Sequence, residues 1–201
     1  CLQCPTKPCI AGCPVAIDIP AFVEAIAEGR DAEAIAIIKQ TSLLPCVCGR
    51  VCPQETQCMK NCTIGKLNKD VEKGVSIGRL ERYVADLERE SGKSVPPLVK
   101  PATGKKVAVV GGGPASITFA VDVRREGHEV TLFEAFQKPG GVLMYGIPEF
   151  RLPKAIVEAE IDNLRKMGVT IRTDFVIGRS RPLSKLIEQD GFSAVFIGTG
   201  A

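Results

Sequence analysis

The chain has 201 residues, of which 45% are hydrophobic and 24% charged, a balance typical of folded globular proteins. Its 26 basic and 23 acidic side chains leave a net charge of +3, too small to favour nucleic acid or an anionic membrane as a partner. Tryptophan is absent and aromatic residues are few, so platforms for stacking bases are not expected either. No apolar run approaches the roughly 20 residues that span a bilayer.

Helices separated by loops are predicted for the first hundred residues. Pro20 and Asp31 are residue types that favour the start of a helix, and each precedes an apolar segment. The predicted helices cover residues 21–29, 32–40 and 77–90. In the third helix the apolar face is predicted from spacing and consists of Ile77, Leu80, Val84 and Leu87. Residues 1–19 and 41–75 are predicted as loops, and the proline-rich residues 91–104 as a linker.

Strands alternate with helices from residue 105 onward. The predicted strands cover residues 106–110, 128–134, 169–173 and 193–200. The predicted helices cover residues 114–127, 153–168 and 181–189. Such alternation implies a parallel sheet with helices on its faces. We therefore predict an α-helical domain with its linker over residues 1–100 and an α/β domain over residues 101–201.

Seven of the nine cysteines form two spaced groups. The groups consist of Cys1, Cys4, Cys9 and Cys13, and of Cys52, Cys58 and Cys62. An odd total argues against a disulfide framework, whereas closely spaced thiolates in a reducing cytoplasm are typical of iron–sulfur clusters. Zinc is the alternative, but it favours facing C-x-x-C pairs, and only Cys1 and Cys4 form one. Cys46 and Cys48 are interpreted as small buried residues, the alternative being a direct part in cluster or flavin packing.

The spacing of the first group indicates two clusters rather than one. In two-cluster ferredoxins the last cysteine of a tight run, followed by proline, binds the other cluster. Cys13 is followed by Pro14, so it is expected to leave the cluster whose face the preceding three thiolates hold. The second group must then return one ligand to the first cluster. Because seven cysteines cannot fill two sets of four, an eighth ligand must come from elsewhere.

A glycine-rich turn, residues 111–116, lies between the first predicted strand and the following helix. This context is the one in which a dinucleotide fingerprint is informative. Gly111 permits a tight turn, and Gly113 allows the backbone to approach a pyrophosphate at the helix N-terminus. Ser116 replaces the third glycine, and Glu134 ends the second strand, where an acid can accept hydrogen bonds from ribose hydroxyls. The alternative is an ordinary strand–helix turn with a surface glutamate.

These motifs together resemble a family of flavin and iron–sulfur oxidoreductases. The chain is similar to the large subunit of NADH-dependent ferredoxin:NADP oxidoreductase, to the glutamate synthase small subunit and to the N-terminal half of dihydropyrimidine dehydrogenase. The matching segments are CLQCPTKPCIAGCP, CGRVCPQETQC, SIGRLERYVAD, VVGGGPAS and PGGVLMYGIPEFRLPK. The resemblance implies two [4Fe-4S] clusters in the first domain and FAD in a Rossmann-like second domain. It also implies a further NAD(P)H-binding region absent from this chain, so we expect the FAD domain to be incomplete at its C-terminus.

The resemblance also assigns ligands. For the first cluster it implies Cys1, Cys4, Cys9 and Cys62. For the second cluster it implies Cys13, Cys52, Cys58 and, in place of a fourth thiolate, Glu81. The alternative for Glu81 is a solvated helix acid near Arg82.

For FAD, the resemblance implies contacts along the whole cofactor. The pyrophosphate is expected beside Gly111, Gly113, Pro114, Ala115 and Ser116. The adenosine ribose is expected at Glu134 and the adenine at the backbone of Val176. Arg151 is expected to contact FAD by charge, although a surface loop cation is the alternative. Along the rest of the cofactor the expected residues are Gly140, Gly141, Val142 and the segment Gly198, Thr199, Gly200 and Ala201.

The function implied is that of an electron-transfer subunit of an NAD(P)H-dependent oxidoreductase. Electrons would pass between FAD and the clusters, with no catalytic side chain required because the cofactors perform the chemistry. The expected partner is a second flavoprotein subunit, a glutamate synthase large subunit or ferredoxin. A zinc-stabilised nucleotide-binding module is the alternative. A dehydrogenase acting on a pyrimidine would need a substrate domain for which this chain has no room.

Overall fold

The computed structural model describes residues 1–92 and 96–200. The chain divides into two compact units, Cys1–Ser94 and Val95–Ala201. Residues 93–95, inside the predicted linker, and Ala201, at the end of the predicted FAD segment, lie outside the described residues. None of the helices formed by the described residues has the length and apolar character that crossing a membrane requires.

Helices make up the regular structure of the first unit. They are α1 (Pro8–Ala11), α2 (Ile19–Ala27), α3 (Asp31–Lys39), α4 (Pro45–Val51), α5 (Thr63–Leu67) and α6 (Ile77–Glu90). The three predicted helices are present as α2, α3 and α6. Asp31 is the first residue of α3 rather than its cap, which is Arg30.

The short helices α1, α4 and α5 lie in segments that were predicted as loops. Prolines in the first turn start α1 and α4, where the fixed proline φ suits a helix and the missing N–H has no intrahelical partner. Helices of four to seven residues span at most two turns, too few for an apolar repeat to be recognised. The second cysteine group is therefore held between helices rather than in an open loop.

The core of the first unit lies where α2, α3 and α4 meet α6. Phe22 of α2 and Ile38 of α3 are fully buried. The face that α6 buries differs from the predicted one, because Leu87 is 43% exposed. The buried residues of α6 are Ile77, Gly78, Glu81, Val84 and Ala85. The buried face of α6 therefore includes the carboxylate of Glu81.

The second unit contains a four-stranded parallel sheet, which confirms the α/β prediction. Its strands are β1 (Lys106–Val110), β2 (Glu129–Phe133), β3 (Thr170–Arg172) and β4 (Ala194–Ile197), in the order β3-β2-β1-β4. Its helices are α7 (Pro114–Arg125), α8 (Val142–Tyr145), α9 (Lys154–Lys166) and α10 (Leu183–Glu188). The predicted strands and helices are all present, and α8 is an additional short helix.

Strands β2 and β3 are added on one side of β1, and after β3 the chain crosses to the other side, where β4 lies next to β1. In open parallel sheets, ligands bind at such a switch point, outside the carboxyl ends of the strands. The segments that follow β1, β2 and β4 meet at this edge, since Gly111 donates to the Phe133 carbonyl and Gly198 to the Val110 carbonyl, both at 2.8 Å. The fold thus brings the glycine turn, Glu134 and the end of β4 together.

Candidate functional sites

The first predicted ligand set lines a single cavity in the helical unit. Its empty space is about 390 Å³, and apolar side chains of α2 and α6 complete its wall. The cysteines on its wall are Cys1, Cys4, Cys9 and Cys62. Burial raises the pKa of the Cys9 thiol, and the neighbouring Cys62 and Cys4 add to the rise. The structure therefore brings the four predicted ligands of the first cluster together, although Cys62 belongs to the second sequence group.

Cys62 lies where backbone amides favour its thiolate. Burial opposes ionisation, but amides of Val75, Gly65 and Ile64 outweigh it and lower the pKa of the Cys62 thiol. The Val75 amide donates to the Cys62 Sγ at 3.5 Å. Cys4 has a polar neighbour as well, since its Sγ lies 3.1 Å from the Thr63 hydroxyl. Thiolates that accept hydrogen bonds are the usual ligands of iron–sulfur clusters.

The second predicted set also interacts mutually. Burial raises the pKa of the Cys58 thiol to about 12, and the charges of Cys13 and Glu81 reinforce the rise. Burial raises the pKa of the Glu81 carboxyl to about 8, and the charge of Cys52 reinforces that rise. Cys58 thus lies near Cys13 and Glu81, and Glu81 lies near Cys52. The structure gathers Cys13 from one sequence group with Cys52 and Cys58 from the other, and it adds Glu81 from α6.

Glu81 is buried, so the alternative interpretation as a solvated helix acid is wrong. The residue is 5% exposed, and its Oε1 has no hydrogen-bond partner. By contrast, the Arg82 side chain is largely exposed and pairs with Asp86. A buried acceptor without a donor costs about 1–3 kcal/mol, and a cationic group beside it would remove that cost. The donor set of three thiols and one orphaned carboxylate oxygen therefore fits an iron–sulfur cluster.

The arrangement of the side chains also indicates whether a single metal ion could bind among the described residues. Within residues 1–92 and 96–200, no three His, Cys, Asp or Glu side chains form a group that could hold one ion. A zinc ion needs its ligands to converge at about 2.3 Å for sulfur, whereas a four-iron cluster takes one ligand at each of its corners.

Cys46 and Cys48 have different surroundings. Cys46 is buried, as predicted, and its Sγ donates to the Ala85 carbonyl at 3.4 Å. The Cys48 thiol contacts Cys52 and lowers the pKa of the Cys52 thiol to about 7, against the effect of burial. Cys48 therefore lies directly beside the second set.

The glycine turn of the second unit is open on one side. Gly111 has a φ of +98°, and a Cβ atom there would collide with the carbonyl of Gly198. Gly113 caps α7, Pro114 starts the helix, and a Cβ atom on Gly113 would meet no atom within 4 Å. The amides at the start of a helix lack intrahelical partners and attract anions. The turn can therefore accept a phosphate group on its Gly113 side.

Glu134 is buried beneath this turn and is not the surface glutamate of the alternative interpretation. It is 5% exposed. Its Oε2 accepts from the Gly112 amide at 2.7 Å and its Oε1 from the Phe136 amide at 2.8 Å. A carboxylate has about four acceptor positions, so acceptor capacity remains for ribose hydroxyls.

A second glycine-rich segment crosses the turn. The Gly140 amide donates to the Gly112 carbonyl at 2.7 Å. Gly141 has a φ of +53°, and a Cβ atom on it would lie 2.8 Å from the Gly113 Cα. Val142 follows and is largely exposed. These residues line the same edge as the phosphate-accepting side of the turn.

Of the remaining residues predicted to contact FAD, some lie beside the glycine turn and others do not. Ser116 is fully buried and donates from its Oγ to the Gly198 carbonyl at 3.2 Å. Thr199 lies against the turn, since a Cβ atom on Gly111 would be 3.1 Å from its Cα. Arg151 lies in an exposed loop between α8 and α9, and Val176 is exposed beyond β3. Nothing in the described structure ties Arg151 or Val176 to the glycine turn.

Comparison with known proteins identifies relatives of both units. Residues 1–93 match the family model described as dihydropyrimidine dehydrogenase domain II, 4Fe-4S cluster. Residues 109–154 match the NAD(P)-binding Rossmann-like domain. The chain is a homologue of NAD(P)-linked oxidoreductase subunits. The resemblance predicted from the sequence is thereby confirmed, as are a 4Fe-4S domain and a nucleotide-binding Rossmann-like domain.

Three relatives illustrate the range of this homology. The NAD-dependent dihydropyrimidine dehydrogenase subunit PreT of Escherichia coli K12 is 36% identical over 98% of the chain and 47% of its own length. The NADPH-Fe(3+) oxidoreductase subunit beta of Geobacter sulfurreducens is 40% identical over 98% of the chain and 28% of its own length. The glutamate synthase [NADPH] small chain of Azospirillum brasilense is 35% identical over the whole chain and 40% of its own length. The chain thus spans less than half the length of these relatives.

Some contacts at the two sites could not be identified from the sequence. The contact of Cys48 with Cys52 needs α4, a helix too short to be predicted. The packing of Gly141 on Gly113 joins segments that only the fold brings together. The one available signal was the glycine pair at 140–141, which lies outside the helices and strands.

Proposed function

We propose that this chain is the electron-transfer part of an NAD(P)H-linked oxidoreductase, with two [4Fe-4S] clusters in the helical unit and FAD on the Rossmann-like unit. The observation that carries the proposal is the interleaving of the two cysteine groups. Cys13 joins Cys58, and Cys62 joins Cys9. Two sets of four donors result, as two four-iron clusters require.

The first cluster is assigned to Cys1, Cys4, Cys9 and Cys62, and the second to Cys13, Cys52, Cys58 and Glu81. When bound, the clusters supply one-electron transfer, and FAD supplies the exchange between hydride and single electrons. The chain's own residues would hold the clusters, and the apolar side chains on the wall of the first cavity would limit the access of water to the first of them. A carboxylate is a harder donor than a thiolate, so Glu81 is expected to tune the potential of the second cluster.

FAD is proposed at the glycine turn, with its pyrophosphate at Gly113 and its adenosine ribose at Glu134. The open side of Gly113 and the buried carboxylate of Glu134 support this placement. Gly140 and Gly141 would lie along the cofactor, and Arg151, Val176 and Thr199 complete the proposed contacts. NAD(P)H is proposed to bind outside this chain, in the remainder of a protein as long as the relatives.

A redox partner completes the proposal. Relatives carry the word subunit or chain in their names, which supports a second flavoprotein subunit, a glutamate synthase large subunit or ferredoxin as partner. All nine cysteines are free thiols in the structure, consistent with a reducing compartment such as the cytoplasm. The proposed domains are residues 1–100 and 101–201.

An anaerobic preparation with counts of iron, acid-labile sulfide and flavin tests the proposal. We expect roughly eight iron and eight sulfide per FAD, as two four-iron clusters require. Zinc without sulfide would overturn it in favour of a zinc-stabilised module, and four iron per FAD would leave one cluster only.

A further inference from the structure

Helices α4 and α6 pack against each other along a seam. At one end, the Cys46 Sγ donates to the Ala85 carbonyl. Three residues further along α4, Gly49 lies against the backbone of Arg82. The seam therefore runs beside Cys48 and Cys52 on one side and Glu81 on the other.

The closest approach of the two helices is at Gly49. A Cβ atom on Gly49 would lie 2.7 Å from the Arg82 backbone nitrogen and 2.8 Å from its Cα. These atoms belong to the α6 main chain, so no side-chain rotation could relieve the overlap. Arg82 directly follows Glu81, which means that a displacement of α6 at this point would move the buried carboxylate.

A second glycine of the seam behaves differently. Gly78 of α6 lies under the carboxamide of Gln54, whose Nε2 also donates to the Cys48 carbonyl at 3.3 Å. The three atoms nearest to a Cβ atom on Gly78 all belong to the far end of this flexible side chain. Alanine at Gly78 can therefore be accommodated by moving Gln54, whereas alanine at Gly49 must move a helix.

A buried ion pair fixes the register of the seam. The Arg50 guanidinium donates to both carboxylate oxygens of Asp86 at 2.7 Å and to the Cys46 carbonyl at 3.0 Å. Its side chain is only 6% exposed. Charge-assisted bonds of this kind are directional, so they hold α6 at one position along α4.

We propose that Gly49 is a positioning residue for the second cluster: its lack of a side chain lets α6 approach α4 closely enough for Glu81 to join Cys52 and Cys58. This inference rests on the proposed function, because it takes Glu81 as a ligand. Gly49 is proposed to act through the position of α6, because the atoms nearest to a Cβ atom on it belong to Arg82 of that helix.

The test compares two Gly→Ala variants of the full protein, reconstituted with iron and sulfide under anaerobic conditions. Gly49→Ala is the test and Gly78→Ala the matched control, since both add one methyl group to a helix of the same seam. Glu81→Ala and the double variant G49A/E81A complete the set. The readouts are iron content, the EPR spectrum and the reduction potential of each cluster.

We expect G49A to change the spectrum and potential of the second cluster in the direction of E81A, while the first cluster and the G78A variant stay as in the unchanged protein. In the E81A background, G49A should add no further change. A general structural defect would instead act alike in both backgrounds and on both clusters, which would overturn the inference, as would a second cluster unaffected by G49A.

Should G49A fail to fold, Arg50→Met carries the test, because it releases the register of α6 without adding bulk to the contact. A shift of the second cluster towards that of E81A supports the inference, and an unchanged second cluster overturns it. Failure of the proposed function is separate: E81A would then leave both clusters unchanged, or the unchanged protein would lack a second cluster altogether.

Discussion

The carboxylate of Glu134 binds the amide of Gly112 from below the glycine turn, at 2.7 Å. The first residue after β2 thereby holds the backbone of the segment after β1. The same carboxylate accepts the Phe136 amide through its other oxygen, so it fixes two loops at the switch point of the sheet. A residue predicted only as a ribose acceptor is also part of the framework of the site.

Replacement of Glu134 by Ala should therefore weaken both folding and FAD binding. It leaves the buried Gly112 amide without an acceptor, at a cost of about 1–3 kcal/mol in the free energy of unfolding. Urea unfolding followed by circular dichroism measures the first effect, and fluorescence titration with FAD the second. Glu129→Gln is the control, because the Glu129 side chain is exposed and its ion pair with Lys106 is long, at 3.8 Å. We expect this variant to change the free energy of unfolding by at most about 0.5 kcal/mol. Unaltered FAD affinity in E134A would remove Glu134 from the proposed site.

Gly141→Ala should reduce FAD affinity by more than backbone strain alone explains. Its positive φ disfavours any side chain by about 1–3 kcal/mol, and the added Cβ also overlaps with Gly113. Gly191 offers a matched control outside the proposed FAD contacts, since its φ is +74° but a Cβ atom there meets nothing within 4 Å. We expect both variants to lose stability and only G141A to lose FAD, as measured by equilibrium dialysis. Equal losses of FAD would contradict the placement of the cofactor over Gly113.

Single cysteine substitutions should remove the clusters in the interleaved pattern rather than by sequence group. Cys62→Ser is expected to abolish the first cluster and Cys58→Ser the second, each with the loss of about four of eight iron atoms. EPR at low temperature identifies the cluster that remains. Cys46→Ala should retain both clusters, since Cys46 is a buried packing residue. If C62S and C58S affected the same cluster, the ligand sets would be wrong.

Removal of iron by a chelator should loosen the N-terminal segment before the rest of the first unit. Helix α1 contains no buried residue, whereas α2 buries five of its nine. Residues 1–13 therefore depend on their thiolates for attachment, since metal binding and local folding are coupled where the core is small. Hydrogen exchange of the iron-free protein should show loss of protection over residues 1–13 and retained protection in α2 and in β1. Unchanged protection of residues 1–13 would contradict this dependence.

The sequence predicted the long elements well, because their patterns are strong. Helix α6 and strand β1 have the predicted bounds, 77–90 and 106–110. The orientation of α6 was less predictable, because its buried face includes Gly78 and Glu81, which no apolar periodicity marks. Gly78 is buried because the Gln54 side chain packs on it, and Glu81 is buried beside the thiols of Cys52 and Cys58. Both are tertiary contacts.

At the candidate sites too, local patterns were predictable and tertiary contacts were not. Spacing and turn chemistry located the cysteine groups and the glycine turn, since each is contiguous in the chain. The spacing predicted that Cys13 leaves the first cluster and that the second group returns one ligand to it. Only the family resemblance identified that ligand as Cys62, because the choice depends on how two distant segments meet. The contact of Cys48 with Cys52 and the double hydrogen bonding of Glu134 had no sequence signal at all.

The exchange of Cys13 and Cys62 between the groups has a consequence for the continuity of the chain. With both clusters in place, residues 14–51 form a loop whose ends are tied through iron and sulfur. The turn between α2 and α3, at residues 28–30, is exposed and open to a protease. A cut there would leave two fragments that migrate as one molecule, and once the iron is removed only the packing of α2 against α3 and α6 would still join them.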